Sequence, residues 1–449
     1  MIRRLLVALF LFAFSFAHAE TIKTDVLVIG GGPAGVAAAI QSARSKVKTF
    51  LVEPGAFLGG DIIKAGSTCV LDANRNLPSG IWGEFRRKIT DHYSTRSGYD
   101  TTYNAILRFE PYDAAELLKR WTDTVKNLTV KMNTSCTNIK KDGTGWEVVI
   151  VTNGETVTIK TKVIVDATDN GGFTAKAGVK LKDRFDNHKD YGDKKIYRTS
   201  IATGEALPGE KYGDANGSPN NYPPYPSYCI PLNAILSTGA DNLLIIDKAL
   251  PENKTIQYFP VQMTLGQGVG ATAAYCAFFK TTTQHLRVRI IQGGILDHKG
   301  YLLPFTDIPQ KDPHFRAIQQ VCATGLLKGV QKTTGIVAEI HFEPNDLVNT
   351  EEIRPILDEI YTRSFLWFNK EKPGTQFTLG NLLSLISDYT LTDPTTLKIY
   401  LQKAWTPQFK LTGTFDLNRP VTRLEFAVLT NRYLNPFAKT VDLSGRIVN

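Results

Sequence analysis

The spacing of apolar residues predicts alternating strands and helices over the first two thirds of the chain. Short β-branched runs at 25–29 (DVLVI), 47–53 (VKTFLVE) and 163–168 (VIVDAT) are typical of strands buried on both faces. Between the first two, the segment 36–45 (VAAAIQSARS) predicts a helix. Further elements are strands at 128–132 and 243–246, a hairpin region with turns at Asp142-Gly143 and Asn153-Gly154, and a glycine- and alanine-rich helix that starts near Leu265.

The pattern changes from Tyr301 onward. Residues 305–330 predict a turn followed by an amphipathic helix that ends near Gly325. Two later stretches align without gaps at a period above seventy residues, which indicates an internal repeat. The matched positions are Phe342, Asn345, Val348 and Glu352 in the first stretch, and Phe415, Asn418, Val421 and Glu425 in the second. We therefore expect a mainly helical C-terminal domain at 286–449.

The first twenty residues have the pattern of an export signal. Arg3 and Arg4 precede an apolar run at 5–16, and Ala17-His18-Ala19 is a small-residue cleavage site, so we expect a signal peptide at 1–19. The run is shorter than the roughly 20 residues that a membrane anchor needs. The two arginines also fit the twin-arginine pattern loosely, so both ordinary secretion and folded export remain open. The expected location is exported: periplasmic, cell-envelope or secreted, of the bacterial type, with no transmembrane span.

Charge and cysteine content narrow the classes of function. The net charge of +9 comes from scattered lysines and arginines, which suits an acidic glycan, an anionic membrane surface or simply a solvated surface, and not a nucleic-acid-binding stripe. The histidines and five cysteines show no metal-ligand spacing and no C-x-x-C motif, so no metal is expected.

One segment carries the spacing of a dinucleotide site. The strand at 25–29 leads directly into Gly30-Gly31-Gly32-Pro33-Ala34-Gly35 and then into a helix, and the next strand ends at Glu53. In such a site Gly30 allows the tight turn, Gly32 lets the backbone approach a pyrophosphate, and Gly35 allows close helix packing. Glu53 would accept hydrogen bonds from a ribose, and its charge disfavours a 2′-phosphate.

This segment, with Pro54 and the following glycine pair Gly59-Gly60, resembles the FAD-dependent oxidoreductase family of glutathione-reductase-type flavoproteins. The meander and returning strand near 128–168 and the late glycine-rich helix follow in the order of that family, with Asp169 where it usually has glycine. The resemblance implies an α/β fold, with a Rossmann-like FAD-binding domain at 20–285 and an inserted substrate domain. The implied FAD-binding residues are Gly30, Gly32, Pro33, Ala34, Gly35, Glu53, Pro54, Gly59, Gly60, Asp169, Asp247, Gly266, Gln267 and Gly268.

The substrate domain is expected in the two regions between the flavin blocks, about 67–110 and 173–241. Candidates for proton transfer or substrate binding there are Cys69, Arg198, Tyr225, Tyr228 and Cys229. Each could instead be a packing residue or an ion-pair partner. No second strand-glycine-helix unit appears, so a separate domain for a nicotinamide cofactor is not expected.

The C-terminal repeat resembles S-layer homology units, which are small helical modules. The first unit, about 301–361, has the opening Phe305-Thr306-Asp307-Ile308-Pro309, and the second, about 376–440, has Val421-Thr422-Arg423-Leu424-Glu425. The alternatives are a glycan-binding module and a helical cap that packs on the flavin domain or forms an oligomer.

Two functions follow from these resemblances. The first is an exported enzyme that transfers a hydride between a small organic or sugar-derived substrate and non-covalently bound FAD. The second is a cell-envelope glycan-binding or xanthan-lyase-like surface protein that keeps the flavoprotein fold without redox turnover.

Overall fold

The computed structural model describes residues 21–71, 77–102, 105–176, 178–179, 193–205, 227–250, 256–334 and 337–448. The predicted signal peptide and Tyr225 lie outside these residues. The strands are β1 (Thr21–Lys23), β2 (Val26–Ile29), β3 (Thr49–Val52), β4 (Cys69–Leu71), β5 (Leu107–Phe109), β6 (Leu128–Lys131), β7 (Thr134–Asp142), β8 (Gly145–Thr152), β9 (Glu155–Thr161), β10 (Val163–Asp166), β11 (Ser200–Glu205), β12 (Ser227–Pro231), β13 (Leu243–Ile245), β14 (Val330–Thr334) and β15 (Val337–His341).

The helices follow the same chain order. They are α1 (Pro33–Arg44), α2 (Asp61–Lys64), α3 (Gly80–Tyr93), α4 (Pro111–Asp123), α5 (Gly172–Lys176), α6 (Lys194–Thr199), α7 (Phe259–Phe279), α8 (Val288–Asp297), α9 (Phe315–Cys322), α10 (Thr350–Ile360), α11 (Ser364–Glu371), α12 (Leu379–Thr390), α13 (Pro394–Ala404) and α14 (Arg423–Tyr433). None of the helices in the described part of the chain has the length and apolar character to cross a bilayer.

A five-stranded parallel sheet forms the centre of the N-terminal domain, in the order β13-β10-β2-β3-β6. The strands β2, β3 and β10 are buried at every position, because helices or a second sheet cover both faces. This confirms the α/β fold and the strands expected from the apolar runs. A second sheet, in the order β1-β9-β8-β7, contains the predicted meander, with turns at Asn153-Gly154 and after Asp142.

Helix α7 packs parallel to α1 at very short range. A Cβ atom on Gly266 would lie 2.2 Å from the carbonyl oxygen of Ala34, and one on Gly270 would lie 2.4 Å from that of Ala38. Only glycine allows this approach, which explains the glycine- and alanine-rich composition of α7. The helix begins at Phe259, six residues before the predicted start near Leu265, with Pro260 in its first turn, a position that proline favours.

The two predicted substrate regions contribute short antiparallel pairs, β4 with β5 and β11 with β12. Both regions pack beside the first half of α7. Phe85 of α3 contacts Phe259 at 4.9 Å between ring centroids, and a Cβ atom on Gly268 would lie 2.5 Å from the carbonyl oxygen of Ile201 in β11.

The C-terminal region is mainly helical, and its helices α10, α12 and α14 each follow a short extended segment. These segments are joined by three hydrogen bonds: the Val348 amide donates to the Val421 carbonyl, the Val421 amide to the Phe377 carbonyl, and the Phe377 amide to the Val348 carbonyl, at 2.8 to 3.0 Å. Asn349, Thr378 and Thr422 cap the three helices in turn. The sequence alignment found two equivalent stretches, whereas the structure contains three. The alignment missed the segment at Phe377-Thr378 because the residues before it do not match Phe342 and Asn345 of the first stretch.

Candidate cofactor site

The loop between β2 and α1 has the conformation expected for a tight glycine turn. Gly30 has φ +104°, and a Cβ atom there would lie 2.7 Å from the carbonyl oxygen of Ala167. A Cβ atom on Gly35 would lie 1.9 Å from the carbonyl oxygen of Gly30. The loop therefore passes directly beside the end of β10, and the first turn of α1 comes close to the loop that precedes it.

Glu53 is held at the end of β3 by backbone amides. Its Oε2 accepts a hydrogen bond from the Gly31 amide at 2.5 Å, and its Oε1 accepts one from the Gly55 amide at 2.7 Å. Each carboxylate oxygen can accept a further bond. The half-buried carboxylate is thus fixed in one orientation and can receive the two hydroxyls of a ribose.

A cleft of about 210 Å³ opens beside Glu53. A Cβ atom on Gly32 would meet no atom within 4 Å, so the backbone there faces open space. Gly60 packs close to Gly32, since a Cβ atom on Gly60 would lie 3.1 Å from the Gly32 Cα. The residues lining the cleft are Gly32, Pro33, Ala34, Glu53, Pro54, Gly60, Asp61, Lys64, Ala167, Thr168, Asp169, Ile246, Asp247, Leu250 and Gln262.

This donor set fits a dinucleotide. Gly32 caps α1 without any side-chain hydrogen bond, so the free amides of the first turn and the positive end of the helix dipole face the cleft. These groups suit a pyrophosphate, while Glu53 suits the ribose beside it. Gly59, at φ +118°, donates its amide to the Gly31 carbonyl at 2.9 Å and so ties the second glycine loop to the first.

Lys64 and Asp169 form an ion pair of 3.2 Å at the rim of the cleft. The hydrogen bond with Asp61 is the main reason why the pKa of Lys64 is raised, and the bond with Asp169 raises it further. Burial acts in the opposite direction and lowers this pKa. Both partners are more than half exposed, so the pair is weak and can open for a ligand. Asp169 begins the 3-10 turn Asp169–Gly171, which an L residue adopts without strain, so the backbone does not require glycine there.

Asp166, at the end of β10, orders the loop that leads to this rim. The fully buried carboxylate accepts hydrogen bonds from the Thr168 amide at 3.0 Å, the Thr168 hydroxyl at 2.6 Å, the Thr174 amide at 2.6 Å and the Thr174 hydroxyl at 2.5 Å. Residues 167–174 are therefore held against the cleft by one side chain.

Gly266, Gln267 and Gly268, which were expected to bind FAD, are not among the residues that line the cleft. They lie in the third turn of α7 because that helix starts at Phe259. The Gln267 side-chain amide bonds to Gln41, to the His298 carbonyl and to the Ile81 amide. The residue of α7 that reaches the cleft is Gln262, in the first turn. Reading Pro260 as a first-turn proline would have placed the helix start correctly.

The four described candidates for catalysis have packing or ion-pairing environments. Arg198 is fully buried and bonds to Glu359, with its Nε donating to the Thr324 carbonyl at 2.8 Å. Burial raises the pKa of the Cys69 thiol to about 11 and that of Cys229 to about 12, so both thiols are protonated near neutral pH and are poor nucleophiles. The Tyr228 ring lies over Gly204 of the paired strand. Arg198 is thus a structural residue, and the expectation of catalysis is not supported for these side chains.

A second, smaller cavity lies at the first turn of α7. Thr203, Glu205, Ser227 and Thr264 line it together with Leu77, Gly204, Pro260 and Val261. Pro260 and Thr264 project from the face of α7 opposite Gln262, because the helix turns about 100° per residue. The cavity therefore lies across the helix start from the cleft. Sequence reasoning missed Glu205, Gln262 and Lys64, since no motif marks them.

All five cysteines are buried and unpaired. Among the residues that the structure describes, no group of three histidine, cysteine, aspartate or glutamate side chains could hold a metal ion.

Residues 25–196 match the family described as FAD dependent oxidoreductase. Digeranylgeranylglycerophospholipid reductase of Methanocaldococcus jannaschii is 26% identical over 170 residues, which are 35% of this chain and 41% of that protein. Mitochondrial dihydrolipoyl dehydrogenase of Dictyostelium discoideum is 30% identical over 151 residues, 33% of this chain and 30% of that protein. The chain thus spans less than half the length of either relative. These matches support FAD as the cofactor of the cleft.

One solved structure that matches this chain is the p-nitrophenol 4-monooxygenase PnpA of Pseudomonas putida DLL-E4. It is 11% identical, with a TM-score of 0.34, and the alignment covers 68% of this chain and 94% of that one.

Proposed function

We propose that this chain is an exported oxidoreductase that uses non-covalently bound FAD to oxidise or reduce a small organic or sugar-derived substrate. The observation that carries the proposal is the cleft itself. It combines an anchored carboxylate, a glycine loop and the open end of α1 within a segment that matches an FAD-dependent family. Bound FAD would supply the hydride chemistry, and the protein would bind it, orient it and exclude water.

The residues of the chain have distinct parts in this proposal. Glu53 would hold the ribose hydroxyls, and the amides at the start of α1 would hold the pyrophosphate. Lys64 would exchange its contact with Asp169 for a phosphate oxygen, which a compact exposed ammonium does at little cost. Glu205, a buried carboxyl beside Thr203 and Thr264, is the group that we propose holds or moves a proton at the second cavity.

Location outside the cytoplasm is part of the proposal and has its own support. The basic start, the apolar run at 5–16 and the Ala17-His18-Ala19 site are the sequence features of a cleaved signal. N-terminal sequencing of the protein recovered from the cell envelope or medium tests this: a chain that starts at Glu20 supports export, and an intact Met1 in the cytoplasm contradicts it.

Absorption spectroscopy of the purified protein tests the redox proposal. We expect flavin bands that bleach with dithionite and release of FAD identified by mass. Glu53→Gln should weaken FAD binding by roughly tenfold or more, since it removes a charged acceptor of hydrogen bonds. Glu155→Gln, an exposed change on β9, is the matched control and should bind FAD normally. A folded, colourless protein that also fails to bind added FAD contradicts the proposal.

A second candidate function is attachment of the C-terminal region to a cell-envelope glycan. The three related segments at Val348, Phe377 and Val421 favour it, because repeated modules commonly present repeated binding surfaces. Co-sedimentation of the full chain with purified cell-wall material tests it. Binding that persists after the FAD is removed supports attachment, and no sedimentation above that of an unrelated basic protein contradicts it.

A further inference from the structure

The far end of α7 exposes two adjacent aromatic side chains. Phe278 and Phe279, the last two residues of the helix, are 60% and 52% exposed, and their rings contact edge to face at 5.1 Å. Tyr275, one turn earlier, packs on Phe279 at 4.8 Å. Lys280 ends the helix in the left-handed conformation. The rest of α7 is almost entirely buried, so this apolar pair projects from a helix that is otherwise part of the core.

Several exposed lysines lie at the same end of the molecule as this pair. The Lys162 ammonium lies 3.4 Å from the carbonyl oxygen of Ala277, the residue that precedes Phe278. The approaches of Gly266 to Ala34 and of Gly270 to Ala38 show that α1 and α7 run side by side in the same direction, so Lys46, two residues after α1 ends, lies at the same end of this helix pair as Phe278. Lys46, Lys162 and Lys280 are all exposed, and so is Lys48, which immediately precedes β3.

The acidic groups at this end do not balance these charges. Asp25, beside the start of β2, pairs with Lys162 at 2.6 Å. Asp241, at the start of β13, accepts both of its side-chain hydrogen bonds from the uncharged Gln284. The four lysines outnumber these two aspartates, so this end of the molecule has an excess of positive charge.

This end of the molecule is remote from the cofactor cleft. The first turn of α7 contributes Gln262 to the cleft, and the helix runs for 21 residues to Phe279. At 1.5 Å per residue the two ends are about 30 Å apart. A contact made at the far end therefore leaves the cleft open.

We propose that this surface, defined by Phe278, Phe279, Lys46, Lys48, Lys162 and Lys280, docks the protein on an anionic phospholipid membrane. Exposed aromatic side chains insert at the level of the lipid headgroups, and lysines beside them are attracted to the anionic lipids. A second copy of the chain is a poorer occupant, because a stable protein interface buries about 800 Å² per partner and two phenylalanine side chains provide only part of that area. The like charge of the lysines would also oppose self-association.

Vesicle co-sedimentation of the full protein tests the proposal. We expect binding to phosphatidylcholine vesicles that contain phosphatidylglycerol, and at least about tenfold weaker binding to phosphatidylcholine alone. Replacing Phe278 and Phe279 together by serine should weaken binding to the anionic vesicles by about tenfold or more. The double change Lys46→Glu and Lys280→Glu should also weaken binding to the anionic vesicles, and the binding that remains should depend less on salt. FAD content and thermal unfolding report whether each variant is folded.

The matched control replaces Phe365 and Leu366 by serine, on the surface of α11, where they are 48% and 54% exposed. This control should bind vesicles within about twofold of the original protein. The proposal is overturned if the original protein does not bind anionic vesicles, or if the two double-serine variants lose binding equally. It is also overturned if light scattering shows a dimer that the change at Phe278 and Phe279 dissociates, since the occupant would then be a second copy.

Discussion

Replacing Glu359 by glutamine should destabilise the protein by about 2 to 4 kcal/mol while leaving FAD binding by the folded molecules intact. Glu359, in α10, accepts two hydrogen bonds from the Arg198 guanidinium, at 2.6 Å to Nη1 and 2.9 Å to Nη2. Arg198 is fully buried, and its remaining partners are the carbonyl oxygens of Thr324 and Gly445. Without the carboxylate, a buried cation would have only neutral acceptors.

The expected loss of stability follows from the degree to which the Arg198 and Glu359 side chains are buried. Removing one partner of a buried ion pair costs about 3 to 5 kcal/mol, because the remaining charge is uncompensated. The Glu359 side chain is 32% exposed, so solvent screens part of this effect and lowers the expected value. Hydrogen bonding to Arg198, against the effect of burial, lowers the pKa of Glu359 from 4.5 to about 2, and Lys194 adds to this shift.

This shift has a defined pH dependence. A carboxylate whose pKa is lowered by folding stabilises the protein fully above its unfolded pKa, and the stabilisation is lost as the pH falls from about 4.5 towards 2. Urea unfolding of the original protein should therefore show a loss of stability in that range that is smaller in Glu359→Gln. Glu116→Gln, an exposed change on α4, should differ from the original by less than about 0.5 kcal/mol. Equal stability of the Glu359 and Glu116 variants would refute the argument, and so would a folded Glu359 variant that no longer binds FAD.

Other predictions concern packing, capping and the thiols. Gly270→Ala should destabilise the protein by about 1 to 3 kcal/mol in urea unfolding, because its Cβ would lie 2.4 Å from a backbone oxygen, while Gly293→Ala in α8, which has open space, should be neutral or stabilising by up to about 1 kcal/mol. Thr422→Ala removes the capping box of α14 and should cost about 1 kcal/mol by the same measurement, and a change below about 0.3 kcal/mol would contradict this role. In a thiol titration with an aromatic disulfide, none of the five buried cysteines should react in the folded protein and all five should react after denaturation, and prompt reaction of any one would contradict the burial.

The central sheet and the cleft were predictable because their signals are local. The apolar runs gave every strand of the parallel sheet, and the spacing from Gly30 to Glu53 marked one side of the cleft before any contact was known. Of the residues expected at the cofactor, Gly32, Pro33, Ala34, Glu53, Pro54, Gly60, Asp169 and Asp247 line the cleft.

The remaining features depend on contacts between distant parts of the chain. Arg198 looked like a candidate for catalysis because nothing nearby in sequence indicates Glu359, which lies 161 residues away. Gly266 and Gly268 looked like cofactor residues because a glycine-rich segment has the same composition whether it faces a ligand or another helix. Their role depends on where α7 begins. The third C-terminal segment escaped alignment because it shares backbone bonds with the other two and not their side chains.

The three hydrogen bonds among Val348, Phe377 and Val421 also constrain when the C-terminal region can form during synthesis. Each segment donates a hydrogen bond to one neighbour and accepts one from the other. The three hydrogen bonds therefore cannot all form until the last segment has left the ribosome. Until that point the first two segments have unpaired backbone groups and exposed apolar residues, and nascent chains in this state are prone to aggregate. Shortening the chain before Val421 should therefore give insoluble protein, and not a smaller stable domain.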